Sequence, residues 1–456
     1  MGVRLSVLLC LATGSVHAED WPTYRHDNRR SGVSGEQLKT ELREAWAYKS
    51  PIPPQTAWSG PAKWDAYSGN KDLQSMRNFD PAFFVTSAAE DIYFGSSVDN
   101  AVHCLNAVTG KKRWVFFTDA PVRLPPTADD GKLYFGSDDG YAYCIDAKTS
   151  SPIWRYRPIE DNRHVPSNGK LISLWPCRTG VLVQGNRAYF AASLLPWEQS
   201  YLCAVDSTTG KPEGAGCFSA KQTGVTLQGA LLASSDSLYA PQGRASPLMY
   251  EMSTGKSRGS IPKAGGTYCL LTDEDQLVSG PQNQKEKDHV LSLADGPRRS
   301  HLVTFRGTNR MLVNRRFAYL HQGENLTALD RPRYVALQKT KRELLAKQAA
   351  IAKQLKAKRN DQGLKSRHGE IGLQIKATTS KIPSCFHWKT QCEIPIGFAM
   401  AGDTLYVGGE GIVMAFNASS GKRQWSAKVS GKAYGLTISN GRLLVSTDKG
   451  HIHCFL

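Results

Sequence analysis

The sequence predicts an all-β protein, an eight-bladed β-propeller with seven blades as the alternative count, carrying one inserted α-helical hairpin. Three observations predict it: an apolar strand ending in glycine that recurs about every 40 residues, a turn-plus-tryptophan unit that follows it, and a tryptophan strand near the start of the chain that can complete the last repeat. The 456 residues include 41 glycines and 23 prolines and are 40% hydrophobic, which suits a large, turn-rich β protein in one domain.

The recurring strand begins at Asp91 (DIYFGS), Lys132 (KLYFGS) and Thr404 (TLYVGG). A second strand follows, beginning at Ala101 (AVHCLN), Tyr141 (YAYCID) and Ile412 (IVMAFN). A turn such as VTGK from Val108 or SSGK from Ser419 comes next, and Trp114, Trp154 or Trp425 closes the unit. Glycine supplies a positive φ at the tight turn, and the preceding Asp or Asn can bond its own turn backbone. The flat indole can fill the gap between neighbouring blades.

Alignment of these strands gives anchors at Tyr93, Tyr134, Tyr189, Tyr239, Val278, Tyr319, Tyr406 and Leu444. By subtraction they are 41, 55, 50, 39, 41, 87 and 38 residues apart. The 55 and 50 imply longer loops, and the 87 implies an insertion in the sixth repeat. The eighth repeat stops two strands in, at Leu456. The strand it lacks is available in residues 44–49 (EAWAYK), and pairing the two would remove an exposed sheet edge.

Met1 to Arg4 forms a basic start, Leu5 to Val16 an apolar run too short to span a bilayer, and Val16-His17-Ala18 a small-x-small cleavage motif. Residues 1–18 are therefore predicted to be a signal peptide, and residues 19–456 an exported, periplasmic or extracellular propeller. Leu9 stands before Cys10 where a lipoprotein signal needs a small residue, so no lipid anchor is expected. Of the ten cysteines, Cys104, Cys144, Cys203 and Cys454 share one context and read as small buried hydrophobes. Cys385 and Cys392 flank an aromatic segment, and a local disulfide between them is the expectation for an oxidising compartment.

The repeat at Asn106 (NAVTGKKRW) and Asp146 (DAKT), with the segment from Asp20 (DWPTYRHDN) followed by Ser31 and Gly32, resembles the pyrroloquinoline quinone repeat propellers. The resemblance spans nearly all of residues 19–456 except 335–380. It implies the propeller fold but not one function, because the family includes both quinoprotein alcohol dehydrogenases and the non-catalytic assembly scaffold BamB. The dehydrogenases hold quinone and calcium in the central channel, and many cap it with adjacent cysteines. This chain has no Cys-Cys pair and no matching calcium-ligand set that the sequence reveals. Phosphate-loop, nucleophile-elbow and zinc-protease motifs are absent too. The expectation is a binding or scaffold protein with protein partners and no cofactor. A quinone- and calcium-dependent oxidoreductase and a carbohydrate or small-ligand binder stand as alternatives.

Polar residues fall where innermost strands should begin: Arg77, Asn78, Asp80, Arg123, Trp175, Arg178 and Gln228. At a channel mouth they could hold an anionic or sugar-like ligand; loop arginines capping blade carbonyls are the plainer alternative. Trp64 to Tyr67 lies in an approach segment that could cover one face.

From Tyr334 to Arg359 there is neither glycine nor proline, and Leu337, Leu344, Leu345, Ile351 and Leu355 recur at near-helical spacing. A break at residues 360–363 and a return helix from Leu364 to about Thr378 complete the hairpin. From Arg333 to Lys381 thirteen Lys/Arg face three acids, a large share of the chain's formal +17. Lys347, Lys353, Lys356, Lys358 and Arg359 are the candidate partner surface, toward protein or an anionic envelope surface. Nucleic acid fits export poorly.

Overall fold

The structure is a computed structural model and describes residues 18–58, 79–243, 245–263, 265–266, 268–280, 290–393 and 396–456. The signal peptide, the Trp64–Tyr67 segment, Arg77 and Asn78 lie outside the described residues, apart from Ala18.

Described strands form six antiparallel four-stranded sheets, in residues 85–117, 127–156, 182–222, 232–260, 268–306 and 308–391, each pairing its strands in sequence order. A seventh sheet has eight strands: Arg423–Ser439, 17 residues long, is shared by two four-stranded halves, and the short Val33–Ser34 adds one more at an edge. In one half it follows Gly397–Ala401, Thr404–Gly408 and Glu410–Asn417; in the other it precedes Arg442–Thr447 and His451–Phe455. Glu44–Lys49 completes that last half, antiparallel to His451–Phe455, so both ends of the chain meet in one sheet. This is the mostly β architecture of a propeller. A two-stranded ribbon, His164–Ser167 with Lys170–Ser173, accounts for the long spacing between Tyr134 and Tyr189.

All eight anchors lie in the second strand of a four-strand unit. In six of the eight units, all but those of Tyr239 and Val278, the anchor stands beside a small residue and then a large ring. Tyr93 faces Cys104 and Cys104 faces Trp114; Tyr134, Cys144 and Trp154 repeat the row, as do Tyr319, Ala328 and Trp388. The small third-strand side chain lets the outer rings meet, with Tyr93–Trp114 and Tyr134–Trp154 centroids 6.0 Å apart. Cys104, Cys144, Cys203 and Cys454 are buried free thiols, and burial pushes the last three up to about 12.

The tryptophans also join one unit to the next. Trp114 Nε1 donates to the Ala147 carbonyl at 3.2 Å, Trp154 to Ser207 at 2.9 Å, Trp388 to Ala418 at 2.9 Å and Trp46 to Ala107 at 3.1 Å. Each acceptor directly follows the Asp or Asn that opens the neighbouring turn. Asn417 Oδ1, for example, accepts from the Ser419 and Ser420 backbone N–H groups. Gly421 in that turn has φ +69°, and a Cβ there would stand 2.5 Å from the Trp388 ring.

A strap of residues 19–36 runs along the inner strands in sheet order. The Asn440 N–H donates to the Glu19 carbonyl, Trp21 exchanges backbone bonds with Ser87, and the Ala128 N–H donates to the Pro22 carbonyl. Asn28 Nδ2 donates to the Val183 carbonyl, and the Ala233 and Leu271 N–H groups donate to the Asn28 and Arg29 carbonyls. Val33–Ser34 pairs in parallel with Gly397–Ala401, and Glu36 then accepts from the Gly441 N–H, back beside Asn440.

Two helices lie between Asn325–Asp330 and Phe386–Gln391: α1, Arg331–Ala357, and α2, Gln362–Lys381. Asp330 caps α1 by accepting from the Arg333 N–H, Pro332 sits in its first turn, and Asp361 caps α2 at Leu364. Leu337, Leu344, Ile351 and Leu355 are half-buried on α1, facing a pattern of Leu364, Ile371 and Ile375 on α2. Leu345 departs from the expected stripe: it is 45% exposed, one residue off the seam.

The expected Cys385–Cys392 disulfide is corrected. Both are buried free thiols, separated by the extended strand Phe386–Gln391. At about 3.3 Å per residue their Cα atoms stand on the order of 20 Å apart, beyond disulfide reach.

Two stability changes follow, read by urea denaturation. Ser150 holds the turn position that glycine fills elsewhere, at φ +59°; Ser150→Gly is expected to stabilise by about 1 kcal/mol. Gly421→Ala should destabilise by about 1–3 kcal/mol through strain and contact with Trp388. Equal effects of one sign would contradict the turn geometry.

Candidate functional site

The segments that lead into the inner strands bring four expected site residues together around one that sequence reading missed, Asp138. Asp80 precedes the strand at Val85, Arg123 precedes Thr127, Arg178 precedes Leu182 and Gln228 precedes Leu232. Arg123 bridges the two acids: Nε to Asp138 Oδ2 is 2.6 Å and Nη1 to Asp80 Oδ2 is 2.8 Å. Arg178 grips Asp138 with Nε on Oδ1 and Nη2 on Oδ2, each 2.8 Å. The carboxylate thus carries a bidentate partner and a second guanidinium.

Backbone from the segment at Gln55–Trp58 seals this cluster. The Ala57 N–H donates to both Asp80 oxygens, and Arg123 Nη1 donates to the Gln55 carbonyl at 3.0 Å. Trp58 Nε1 donates to Gln228 Oε1 at 2.7 Å, and the Arg178 guanidinium lies 5.7 Å from the Trp58 ring. Asp80, Arg123, Asp138, Arg178 and Gln228 are all buried, with exposures from 1% to 6%. Trp175 is buried too but stands apart from the ion cluster: its Nε1 donates to the Gln199 carbonyl and Arg163 stacks on its ring. Instead of opening to solvent, the described part of this cluster is a brace between the 55–58 segment and the inner strands. One donor, Arg178 Nη1, is buried without a partner among the described residues.

The two acids differ electrically. Burial raises both, but Arg123 and Arg178 overcome it at Asp138 and hold that carboxyl below its ordinary value. At Asp80 burial wins over Arg123 and the Ala57 N–H, and the carboxyl is raised. Arg123 is itself raised: burial opposes its charge, but Asp138 and Asp80 prevail.

A calcium-held quinone finds a poor donor set here. The two carboxylates are committed to guanidinium groups, and no group of three or more His, Cys, Asp or Glu among the described residues could hold a metal. No helix among the described residues is long and apolar enough to cross a membrane.

The five candidate basic residues of the hairpin are exposed. Lys347, Lys353 and Lys356 lie on α1, and Lys358 and Arg359 lie in the turn before Asp361. The base of α1 is held by Arg331, 2.8 Å from both Glu274 oxygens, and by Tyr334 between Phe305 and Phe386.

Asp138→Asn should cost about 3–5 kcal/mol at neutral pH, because it leaves two buried guanidinium groups short of charge. Asp80→Asn should cost less, since its carboxylate form is already disfavoured. Asp138's folded value is depressed, so its contribution is complete above the unfolded value near 3.9 and fades as pH falls through the folded one. Asp80 acts with the opposite sign. Urea titrations of both variants at pH 7 and pH 4 test the order; a costlier Asp80→Asn would refute it.

Over residues 59–331 and 378–455 the sequence matches the family described as outer membrane protein assembly factor BamB. No curated protein sequence matches it. Among solved structures, BamB from Moraxella catarrhalis aligns with TM-score 0.51 at 12% identity, covering 91% of this chain and 99% of that one. Quinohemoprotein alcohol dehydrogenase from Comamonas testosteroni aligns with TM-score 0.60 at 12% identity, covering 96% and 80%. A europium-containing methanol dehydrogenase gives 0.54 at 11% identity, covering 93% and 89%. These likenesses establish the propeller fold, and by the extent of the sequence match the chain belongs to the BamB-like, pyrroloquinoline-quinone-repeat family.

Proposed function

We propose that this chain is an exported, non-catalytic binding or scaffold protein, built as a single ring of eight four-stranded blades. Residues 335–380 form an arm inserted in the sixth blade, and its outer part docks an acidic protein partner. Lys347, Lys353, Lys356, Lys358 and Arg359 carry that contact.

The observation that carries this reading is the arm itself. Alpha1 has one buried residue, Arg331, and α2 has none, so the propeller core makes little use of either helix. At 1.5 Å per residue α1 is roughly 40 Å long, and Lys347, Lys353 and Lys356 of its outer half are exposed. The family match leaves out residues 332–377, nearly the same stretch. The strap supports the ring count: it visits inner strands in sheet order and returns to the half that it left. Against oxidoreductase chemistry stands the commitment of Asp80 and Asp138 to arginines, which leaves neither free as base or metal ligand.

Two experiments test the proposal. Incubation with pyrroloquinoline quinone and calcium, followed by absorption spectroscopy and a dye-linked alcohol oxidation assay, should show neither stoichiometric quinone nor dye reduction. Retention with turnover would overturn the non-catalytic reading. A photo-crosslinking residue in place of Lys353 should give one discrete protein adduct in exporting cells, reduced about tenfold by Lys356→Glu with Arg359→Glu. An absent adduct, with salt-sensitive binding to phosphatidylglycerol vesicles instead, would replace the protein partner with an anionic surface.

A further inference from the structure

A second group of arginines sits against the inner strands, away from the Asp80–Asp138 cluster, and lacks what that cluster has. Arg25 belongs to the strap, and Arg310 to the inner strand Thr308–Asn314. Both guanidinium groups lie by one aromatic ring: Arg25 is 4.5 Å and Arg310 is 5.2 Å from the Tyr268 centroid. Their central carbons are therefore no more than about 10 Å apart, close enough for like charges to repel.

No carboxylate among the described residues pairs with either. Arg25 donates from Nε to the Arg30 carbonyl at 2.9 Å and from Nη2 to Tyr268 Oη at 3.1 Å. Arg310 donates from Nε to the Ile396 carbonyl at 3.1 Å and from Nη1 to the Asn309 carbonyl at 2.8 Å. That leaves Nη1 of Arg25 and Nη2 of Arg310 without a hydrogen-bond partner among the described residues. Arg30 makes the contrast. It is fully buried, and its carbonyl and hydroxyl partners are Leu231, Tyr24, Asp27 and Thr23. Arg25, Arg310 and Tyr268 are only half-buried, so a ligand can reach them.

Holding this pair costs backbone strain and loses charge stability. Arg25 has φ +56° and His26, next in sequence, φ +81°, a left-handed pair of non-glycine residues. Such strain persists where surrounding structure demands it and gathers at binding sites. Gly32 makes room for the guanidinium, since a Cβ there would lie 3.0 Å from Arg25 Nη2. Burial pushes the Arg310 guanidinium below its ordinary value, and Arg25 adds to the effect. Two cations gathered without a counter-ion among the described residues, with spare donors beside an aromatic wall, suit a small anion.

We propose that Arg25 and Arg310, with Tyr268 as a wall, bind one compact oxyanion, the phosphate or carboxylate group of a small ligand. The site lies on the strap and does not depend on the arm or on the scaffold role above.

Calorimetry of the full chain at low ionic strength, with inorganic phosphate in one arm and succinate in the other, tests it. One saturable site for either anion is expected, and the arm that binds names the group. Arg310→Gln should weaken it at least tenfold, while Lys353→Glu with Lys356→Glu, on the helical arm, should leave it within twofold. Binding of neither anion, or equal binding by folded Arg310→Gln, overturns the proposal. Should that variant fail to fold, phenylglyoxal modification of the unaltered protein, mapped by mass spectrometry, decides. Saturating anion should slow reaction at Arg310 at least threefold, and an unchanged rate overturns the site.

Discussion

The contact on which the rest of the molecule depends is the indole of one sheet lodged in the turn of the next. A four-stranded antiparallel sheet cannot bury both faces alone, so each repeat is stable only against its neighbours. Trp46, Trp114, Trp154 and Trp388 meet this need twice over, by covering apolar surface and by donating to a carbonyl just past an Asp or Asn turn. The contact fixes spacing as well as attraction. The acceptor is a backbone atom whose place is set by the turn, and the turn is set by its own side-chain oxygen.

The interlock was legible because it is local. Asp or Asn, glycine and tryptophan lie within about nine residues of one another, and their spacing repeats, so a single sequence displays the pattern. Trp46 at the other end was recognisable for the same reason. The small residue between tyrosine and tryptophan was half legible. Cys104 and Cys144 stood out, but their role as spacers under paired rings needs the cross-strand register. Helix α1 was seen from its periodicity, although it begins at Arg331, because Pro332 suits a first turn where the chain has no helical N–H to satisfy.

What escaped the sequence is what joins distant segments. Asp138 lies after the second strand of its sheet, in a loop with no motif, and becomes significant only when Arg123 and Arg178 converge on it from 15 and 40 residues away. The strap is another case. Residues 20–32 carried family resemblance, but nothing local announces that Asn28 will reach Val183 or that the Ala233 N–H will reach back to Asn28. The Cys385–Cys392 expectation failed through the reverse error. Two cysteines seven apart look close in sequence, yet the strand between them is extended, and extension separates what nearness in sequence suggests is joined.

The two arginine clusters show how one physical rule assigns different roles to one residue type. A buried guanidinium must be neutralised or richly hydrogen-bonded, because its desolvation is costly. Around Asp138 the chain supplies the anions itself, and the result is closed, braced and electrically spent. Around Tyr268 the same chain gathers Arg25 and Arg310, both only half-buried, leaves a donor on each without a partner among the described residues, and has left-handed backbone at Arg25 and His26. If packing alone governed that region, a neutral side chain would serve at less cost. The surplus charge is understandable when its counter-ion comes from outside the chain. The strap would then do more than line the inner strands: it would convert the inner face of a propeller into a charge-selective site.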